Sequence, residues 1–387
     1  MQPDVDAMKR RTSGPRAPNL SADMTQNTNI TKLLNRLVET KAEVFKLGMD
    51  QHARYLVVCV QLDGSVPLRP QQMSTGELLR LVRGLVGASR KVYSCYESGP
   101  CGYGLHRDLV ASGATNYVVV PEVLADGRKQ KTDKLDAAAL TDALDRYVRG
   151  NKKAFSVVTV PSPEQEDRRE EGRLRDQLTA TRKQWEARGR SLLLFKGHHI
   201  TGVWWSERAW AQLRPTLPGE LVKSLEVMRK LILEADAQEK TLRKVIEASA
   251  PKALPKAVGA LTWALIGREM LWRKFENRRQ VASYTGLCPG VAQTGASRRE
   301  GSINRYGNPR VRALLVELVW RLARWQPDYP PVRALVAGLA RGAARRKCAV
   351  AAARRLAVDL WRLSTGRTTP EKLKLQVPAG WVAGQTA

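Results

Sequence analysis

The chain has 387 residues, with 65 Lys and Arg against 37 Asp and Glu, for a formal net charge of +28. That length, with 43% apolar residues, is enough for two or three domains with their own cores, and it excludes a chain disordered along most of its length. So large a basic excess points to a polyanionic partner, either nucleic acid or an anionic membrane surface.

Residues 1–28 mix Pro, Ser, Asn and charge without apolar period and are expected to be flexible; a short helix from Thr31 closes a leader segment spanning 1–43. VFKLGMD (44–50) and YLVVCVQLDG (55–64) predict two strands joined by a tight turn at Gln51–Arg54. TGELLRLVRGLV (75–86) predicts a helix with Thr75 as N-cap, and KVYSCYE (91–97) a third strand ending in Glu97 before the glycine-rich SGPCGYG. A short helix (105–113), a buried strand ended by Pro121, a strong helix over 131–149 and a further strand, FSVVTVP (155–161), follow. A hairpin followed by β-α-β units means mixed α/β around a central sheet.

The pattern then changes. Leu178, Trp185 and Leu192 recur at seven-residue spacing, and Leu221, Leu225, Met228, Ile232, Ala235, Leu242 and Ile246 form a cleaner 3–4 stripe. Two long helices joined through HHITGVWWSERAW predict an antiparallel coiled-coil arm over 163–250, with ordinary bundle helices as the alternative. Trp204, Trp205 and Trp210 in the connection fit packing at the arm's tip or a subunit contact better than base stacking. A third region, 251–367, is mostly helical and contains the basic cluster RKFENRR (273–279), a Gly-rich loop, and strong helices over 311–325 and 341–363. On the last of these, RRK (345–347) and RR (354–355) form either a nucleic-acid-facing stripe or a solvated face. The tail, 368–387, is expected to be mobile.

Four carboxylates stand where an α/β sheet can converge them. Asp50 ends the first strand, Glu97 ends a later one, and Asp133 and Asp136 lie three apart on one helix face. Singly, each has an ordinary reading as a turn, cap or helix-dipole residue. Jointly, acids at strand and helix ends are how a protein holds Mg²⁺ for phosphodiester chemistry, since hard cations take oxygen ligands. The second constellation is SYTGLCPGVAQTGASRREGSINRYGNPRVRALL (283–315). Arg298, Arg299, Arg305, Arg310 and Arg312 offer phosphate contacts, and Thr294, Ser297 and Ser302 offer hydroxyls. From composition alone, a loop that only binds phosphate is the simpler account.

Taken in order, GMD, YESGPCGYGLHRDL, KTDKLDAAAL and SYTGLCPGVAQTGASRREGSINRYGNPRVRALLVELVW resemble the DEDD-type transposases of the insertion-sequence-110 family, or bridge recombinases, which are related to the pilin-gene invertase. The similarity runs from about Lys46 to Leu363. The resemblance implies a fold of α/β plus α: a RuvC-like (RNase H fold) domain over 44–162, the coiled-coil insertion, and a C-terminal transposase domain. It implies Asp50, Glu97, Asp133 and Asp136 as Mg²⁺ ligands. It also implies a serine nucleophile five residues after the proline of GLxP, where this chain has Thr294, followed by Gly295. Threonine keeps the hydroxyl on a stiffer β-carbon, and Ser297 is the second candidate; Arg298 and Arg299 would steady the phosphate. GALTWALIGRE (259–269) stands where the family has a glycine-containing hairpin.

Further implications are donor and target DNA, a noncoding guide RNA, and a homodimer or homotetramer, because the carboxylates and the nucleophile come from different subunits. Two rivals remain: a RuvC-type nuclease using water, and an impaired copy that only binds nucleic acid. Five scattered cysteines without CxxC, no apolar run of bilayer length and no secretion-signal pattern lead to the expectation of a cytoplasmic, nucleoid-associated protein without membrane contact.

Overall fold

The computed structural model describes residues 20–120, 132–295, 297–338 and 341–379, with side chains from residue 29 onward except those of 292, 298 and 300. The expected leader up to residue 19 and the last eight residues of the tail lie outside the described residues. The chain divides into two compact units, Met1–Val160 and Pro161–Ala387.

The first unit is mixed α/β. Helix α1 (Leu20–Val38) begins well before Thr31, where the sequence suggests it, and is followed by β1 (Val44–Gln51), β2 (Leu56–Leu62), β3 (Gln71–Met73), α2 (Thr75–Gly87), β4 (Lys91–Glu97), α3 (Gly104–Ala111), β5 (Thr115–Val119) and α4 (Asp133–Val148). The sheet order is β3-β2-β1-β4-β5. The short 52–55 connection makes β1 and β2 antiparallel, whereas the crossover through α2 makes β4 parallel to β1, and β5 runs parallel to β4. The N-cap of α2 is Ser74, one residue before the expected Thr75, because Ser74 and Glu77 close a capping box. The strand expected at 155–161 is reduced to a bridge between Val157 and Val119.

Alternation along β1 sorts its side chains between two cores. Phe45, Leu47 and Met49 are fully buried with Leu78, Leu81 and Leu85 of α2. Lys46, Gly48 and Asp50 face the other way, toward α4. That helix lies directly on β1: a Cβ at Gly48 would sit 2.4 Å from the Thr141 nitrogen and 2.5 Å from the Ala137 carbonyl oxygen. The Gly48 amide donates to Thr141 Oγ1 at 3.1 Å. Nearby, the buried Lys46 donates to Asp145 at 2.5 Å, which Arg149 also contacts.

In the second unit, α5 (Pro163–Phe195) and α7 (Gly219–Ala248) run antiparallel, with Arg175 paired to Glu239 at 2.9 Å and Arg182 near Asp236 at 3.6 Å. The connection, expected as a loop, contains α6 (Glu207–Leu213) and a 3₁₀ turn. It folds onto the helices as a tryptophan core. Trp204, Trp205 and Trp210 are all buried with Leu193 and Leu225, which removes them from base stacking. Gly189 makes room for the Trp204 ring, whose Nε1 donates to the Glu186 carbonyl at 2.9 Å.

Beyond residue 250 come α8 (Ala260–Ile266), a π-helical turn (Gly267–Leu271), α9 (Arg278–Thr285), β6 (Pro289–Thr294), β7 (Ser297–Ile303), α10 (Pro309–Trp325), α11 (Arg333–Val336), α12 (Gly342–Ser364) and α13 (Pro370–Leu373). α10 and α12 supply most of one apolar core. Two expectations change here. GALTWALIGRE is a buried helix, its side chains turned into the protein, and not a hairpin. The Gly-rich segment after α9 is an ordered antiparallel hairpin of β6 and β7. Among the described residues, no helix is long and apolar enough to cross a membrane.

Candidate active-site elements

The acids of the first unit lie along one end of the α4-covered face. Parallel pairing sets Met49 of β1 against Tyr96 of β4, so Asp50 and Glu97 follow in step on adjacent strands. Both occupy the pleat positions of Gly48 and Cys95, whose neighbours Thr141 and Leu140 belong to α4. Asp133 opens α4, with Thr132 as its N-cap, and Asp136 follows one turn on. Close packing of α4 on Gly48 therefore brings the start of that helix to the end of β1.

The structure adds a residue that the sequence reading did not single out. His52 Nε2 lies 3.2 Å from Asp50 Oδ2 and 3.1 Å from Asp133 Oδ2, and its ring packs on Tyr55 with centroids 4.6 Å apart. The usable signal was D-x-H at a strand end, because residues two apart share one side of the pleat. Among the described residues, ligand atoms of Asp50, His52 and Asp133 all lie within 4.8 Å of one another. The Asp136 carboxylate is outside that group but close enough to act on Asp50. Glu97 also stands outside it, in register on the neighbouring strand.

Burial pushes the Asp50 carboxyl above its ordinary range; His52 opposes the shift, and the charges of Asp133 and Asp136 add to it. Neighbouring acids that disfavour the ionisation of Asp50 are what a cation would relieve. Two carboxylates and an imidazole make a donor set that fits a divalent ion, and the oxygen donors suit a hard one.

In the second unit, Thr294 and Ser297 face each other as the last pair of the hairpin, and Gly295, next to Thr294, is left-handed, at φ +54°. Both hydroxyl residues are exposed, as are Arg299 and Arg305. The Arg298 side chain lies outside the described residues. Arg310 and Arg312 are occupied elsewhere. Arg310 pairs with Asp176 of α5, and Arg312 donates to the Thr285 carbonyl at 3.2 Å and lies 3.4 Å from that of Arg305.

The hairpin's base is pinned by groups that sequence reasoning passed over. Asn308 caps α10 by accepting from the amides of Arg310 and Val311. Its side-chain nitrogen lies 2.9 Å from Glu269 Oε2 and 3.0 Å from Tyr284 Oη. Tyr284 in turn donates to the Glu269 carbonyl at 2.7 Å. Glu269 is only 4% exposed, with the Nε atoms of Arg169 and Arg173 at 3.5 and 3.7 Å. An Asn-Pro pair before an apolar helix was the readable half of this arrangement. The arrangement presents a hairpin with the exposed hydroxyl residues Thr294 and Ser297 and the exposed Arg299.

Residues 256–332 match the family model described as Transposase IS116/IS110/IS902 family. Two proteins of Sinorhizobium fredii that carry transposase names, y4rJ and y4qE, are similar to this chain. The first is 32% identical over 282 residues, covering 65% of this chain and 70% of the relative. The second is 27% identical over 277 residues, covering 67% and 65%.

Proposed function

The chain belongs to the IS116/IS110/IS902 family of transposases, and from that premise we propose that it cuts and rejoins DNA through a metal-dependent acidic site and a hydroxyl nucleophile on the hairpin. The observation that carries this reading is the approach of Asp50, Asp133 and His52, with Asp136 one helical turn away.

The RuvC-like assignment is supported by the sheet order, with β4 and β5 parallel to β1 and with Asp50 and Glu97 near the ends of the adjacent strands β1 and β4. Asp50, Glu97, Asp133 and Asp136 would hold Mg²⁺, with His52 as a further neighbour. Bound there, the ion would supply charge stabilisation to the attacking and leaving oxygens of a phosphodiester. The protein's own part is positioning. Thr294 first, and Ser297 second, would present a hydroxyl to a DNA phosphate. Its oxygen forms a bond to phosphorus, the deoxyribose oxygen leaves, and the hydroxyl proton ends on that leaving oxygen. The covalent protein–DNA ester is then resolved when a strand-end hydroxyl attacks it, which restores the side chain and rejoins DNA. Arg299 and Arg305 are the described hairpin arginines open to phosphate; Arg310 and Arg312, being engaged within the protein, would act as braces.

A noncoding guide RNA and a homodimer or homotetramer belong to this proposal; a charge of +28 suits two nucleic acids held at once. The deciding experiment traps protein on a labelled, nicked DNA substrate with Mg²⁺. A covalent adduct lost in Thr294→Ala identifies that hydroxyl, and loss only in Ser297→Ala moves the role there. Cleavage without any adduct would replace the proposal with hydrolysis by water. RNA recovered with the purified protein tests the guide: one dominant transcript supports it, and a featureless mixture counts against it.

A further inference from the structure

Much of the charge on the long helices of the second unit is matched locally. Arg175 meets Glu239, Arg214 meets Glu226 and Arg243 meets Glu247, each within 3.0 Å. The C-terminal helices behave differently. Around an open groove of about 350 Å³ between α9 and α12, Arg278 and Arg279 form one wall and Arg354, Arg355 and Arg362 the other. The α12 residues follow helical spacing, so they share one face of that helix. This joins the two basic clusters, 273–279 and 354–355, that stand far apart in sequence.

Five guanidinium groups there have almost no counter-charge. Arg355 lies 3.4 Å from Asp359, but that carboxylate is 1% exposed and already accepts the Tyr329 hydroxyl at 2.9 Å. Among the described residues, Arg278, Arg279 and Arg354 have no acidic partner, and Arg362 acts on that same buried Asp359. The groove is also lined by Ala282, Ala351 and Val358, short apolar side chains that let a ligand come close. Like charges assembled this way repel until an anion enters. Guanidinium forks match phosphate oxygens, and a methyl-lined floor suits the carbon face of a sugar. An open groove with charge along both walls fits a continuous chain of phosphates better than a single small anion.

We propose that the α9/α12 groove is a second nucleic-acid site, a sequence-independent seat for sugar–phosphate backbone, built on elements other than the hairpin arginines. The assignment rests on the transposase reading, and its test separates the two. Full-length protein is titrated with a short duplex DNA of arbitrary sequence, and separately with RNA of the same length, at several salt concentrations. The Arg278→Gln/Arg354→Gln/Arg362→Gln variant should flatten the log affinity against log salt slope on duplex DNA by about 2.7, since each phosphate contact there contributes about 0.9. Between about 50 and 200 mM salt that is roughly a 40-fold smaller loss of affinity. The matching triple lysine variant should keep the wild-type slope. A loss on DNA alone, on RNA alone or on both supports the groove and identifies which backbone it holds.

An unchanged slope in the glutamine variant, with wild-type protein binding normally, overturns the groove alone. A lysine variant as flat as the glutamine one assigns the loss to disturbed packing and also overturns it. Wild-type protein that binds neither nucleic acid overturns the transposase reading itself.

Discussion

Adding one methyl group at Gly48 tests how the acidic site is assembled. The new Cβ would lie 2.4 Å from the Thr141 nitrogen and Oγ1 and 2.5 Å from the Ala137 carbonyl oxygen, where ordinary contact starts at 3.4 Å. Two of these atoms are α4 backbone, so no change of rotamer relieves the clash, and the helix must retreat by about 1 Å. The hydrogen bond from the Gly48 amide to Thr141 is strained as well. Overpacking of about 1–3 kcal/mol and a weakened buried hydrogen bond of about 1 kcal/mol give roughly 2–4 kcal/mol of destabilisation. The functional effect is larger than the structural one, because α4 carries Asp133 and Asp136 at its start. Misplacing reacting groups by about 1 Å costs on the order of 100-fold in rate. Thermal melts with and without Mg²⁺, alongside an excision assay, read both quantities. Gly76→Ala serves as the control, because its Cβ would meet nothing within 4 Å. If Gly48→Ala kept the wild-type melting temperature, Mg²⁺ response and excision, the packing argument for the site would be wrong.

Four other changes probe separate parts of the molecule. Asp50→Asn should melt no lower than wild type in EDTA near neutral pH and should lose the Mg²⁺-induced rise. Because burial and nearby acids raise the folded Asp50 pKa, the stability it contributes is complete below its unfolded value of 3.8 and is lost as pH rises through the folded value. A lower melting temperature in EDTA would contradict this. Asp145 has the opposite sign: burial pushes its pKa up, but Lys46 and Arg149 outweigh that and hold it below 3.8. Its stabilisation is present above that value and disappears as pH falls through the folded pKa, so Lys46→Met should shift the acid-unfolding midpoint to higher pH. Glu269→Ala leaves Asn308 and two arginines facing an emptied site, and should cost about 2–4 kcal/mol in denaturant melts; a loss under about 0.5 kcal/mol would remove Glu269 from the account of the hairpin's base. Thr294→Ser should raise the yield of trapped covalent adduct if the threonine's β-branch slows attack, and an unchanged yield would locate the nucleophile elsewhere.

Local pattern in the sequence determined much of this protein. The alternation in VFKLGMD and the short apolar run of YLVVCVQLDG set two strands, the helical stripe from Leu221 to Ile246 set α7, and the placement of Asp50, Glu97, Asp133 and Asp136 at element ends marked out the acidic residues. Each of these is a short-range property of period and capping, which neighbouring residues suffice to fix. What the tertiary structure decided depends on contacts between residues far apart in the chain. His52 looks like an ordinary turn residue until α4 docks on Gly48 and brings Asp133 to within 3.1 Å. Arg310 and Arg312 look like open phosphate contacts until Asp176 and two carbonyls take them. Trp204, Trp205 and Trp210 could be stacking platforms until the arm folds back over them. Arg278 and Arg354 become one groove only because α9 and α12 pack together. Periodicity shows which side of a helix is apolar, but the partner across a core is chosen by shape and close approach, and those exist only in the folded chain.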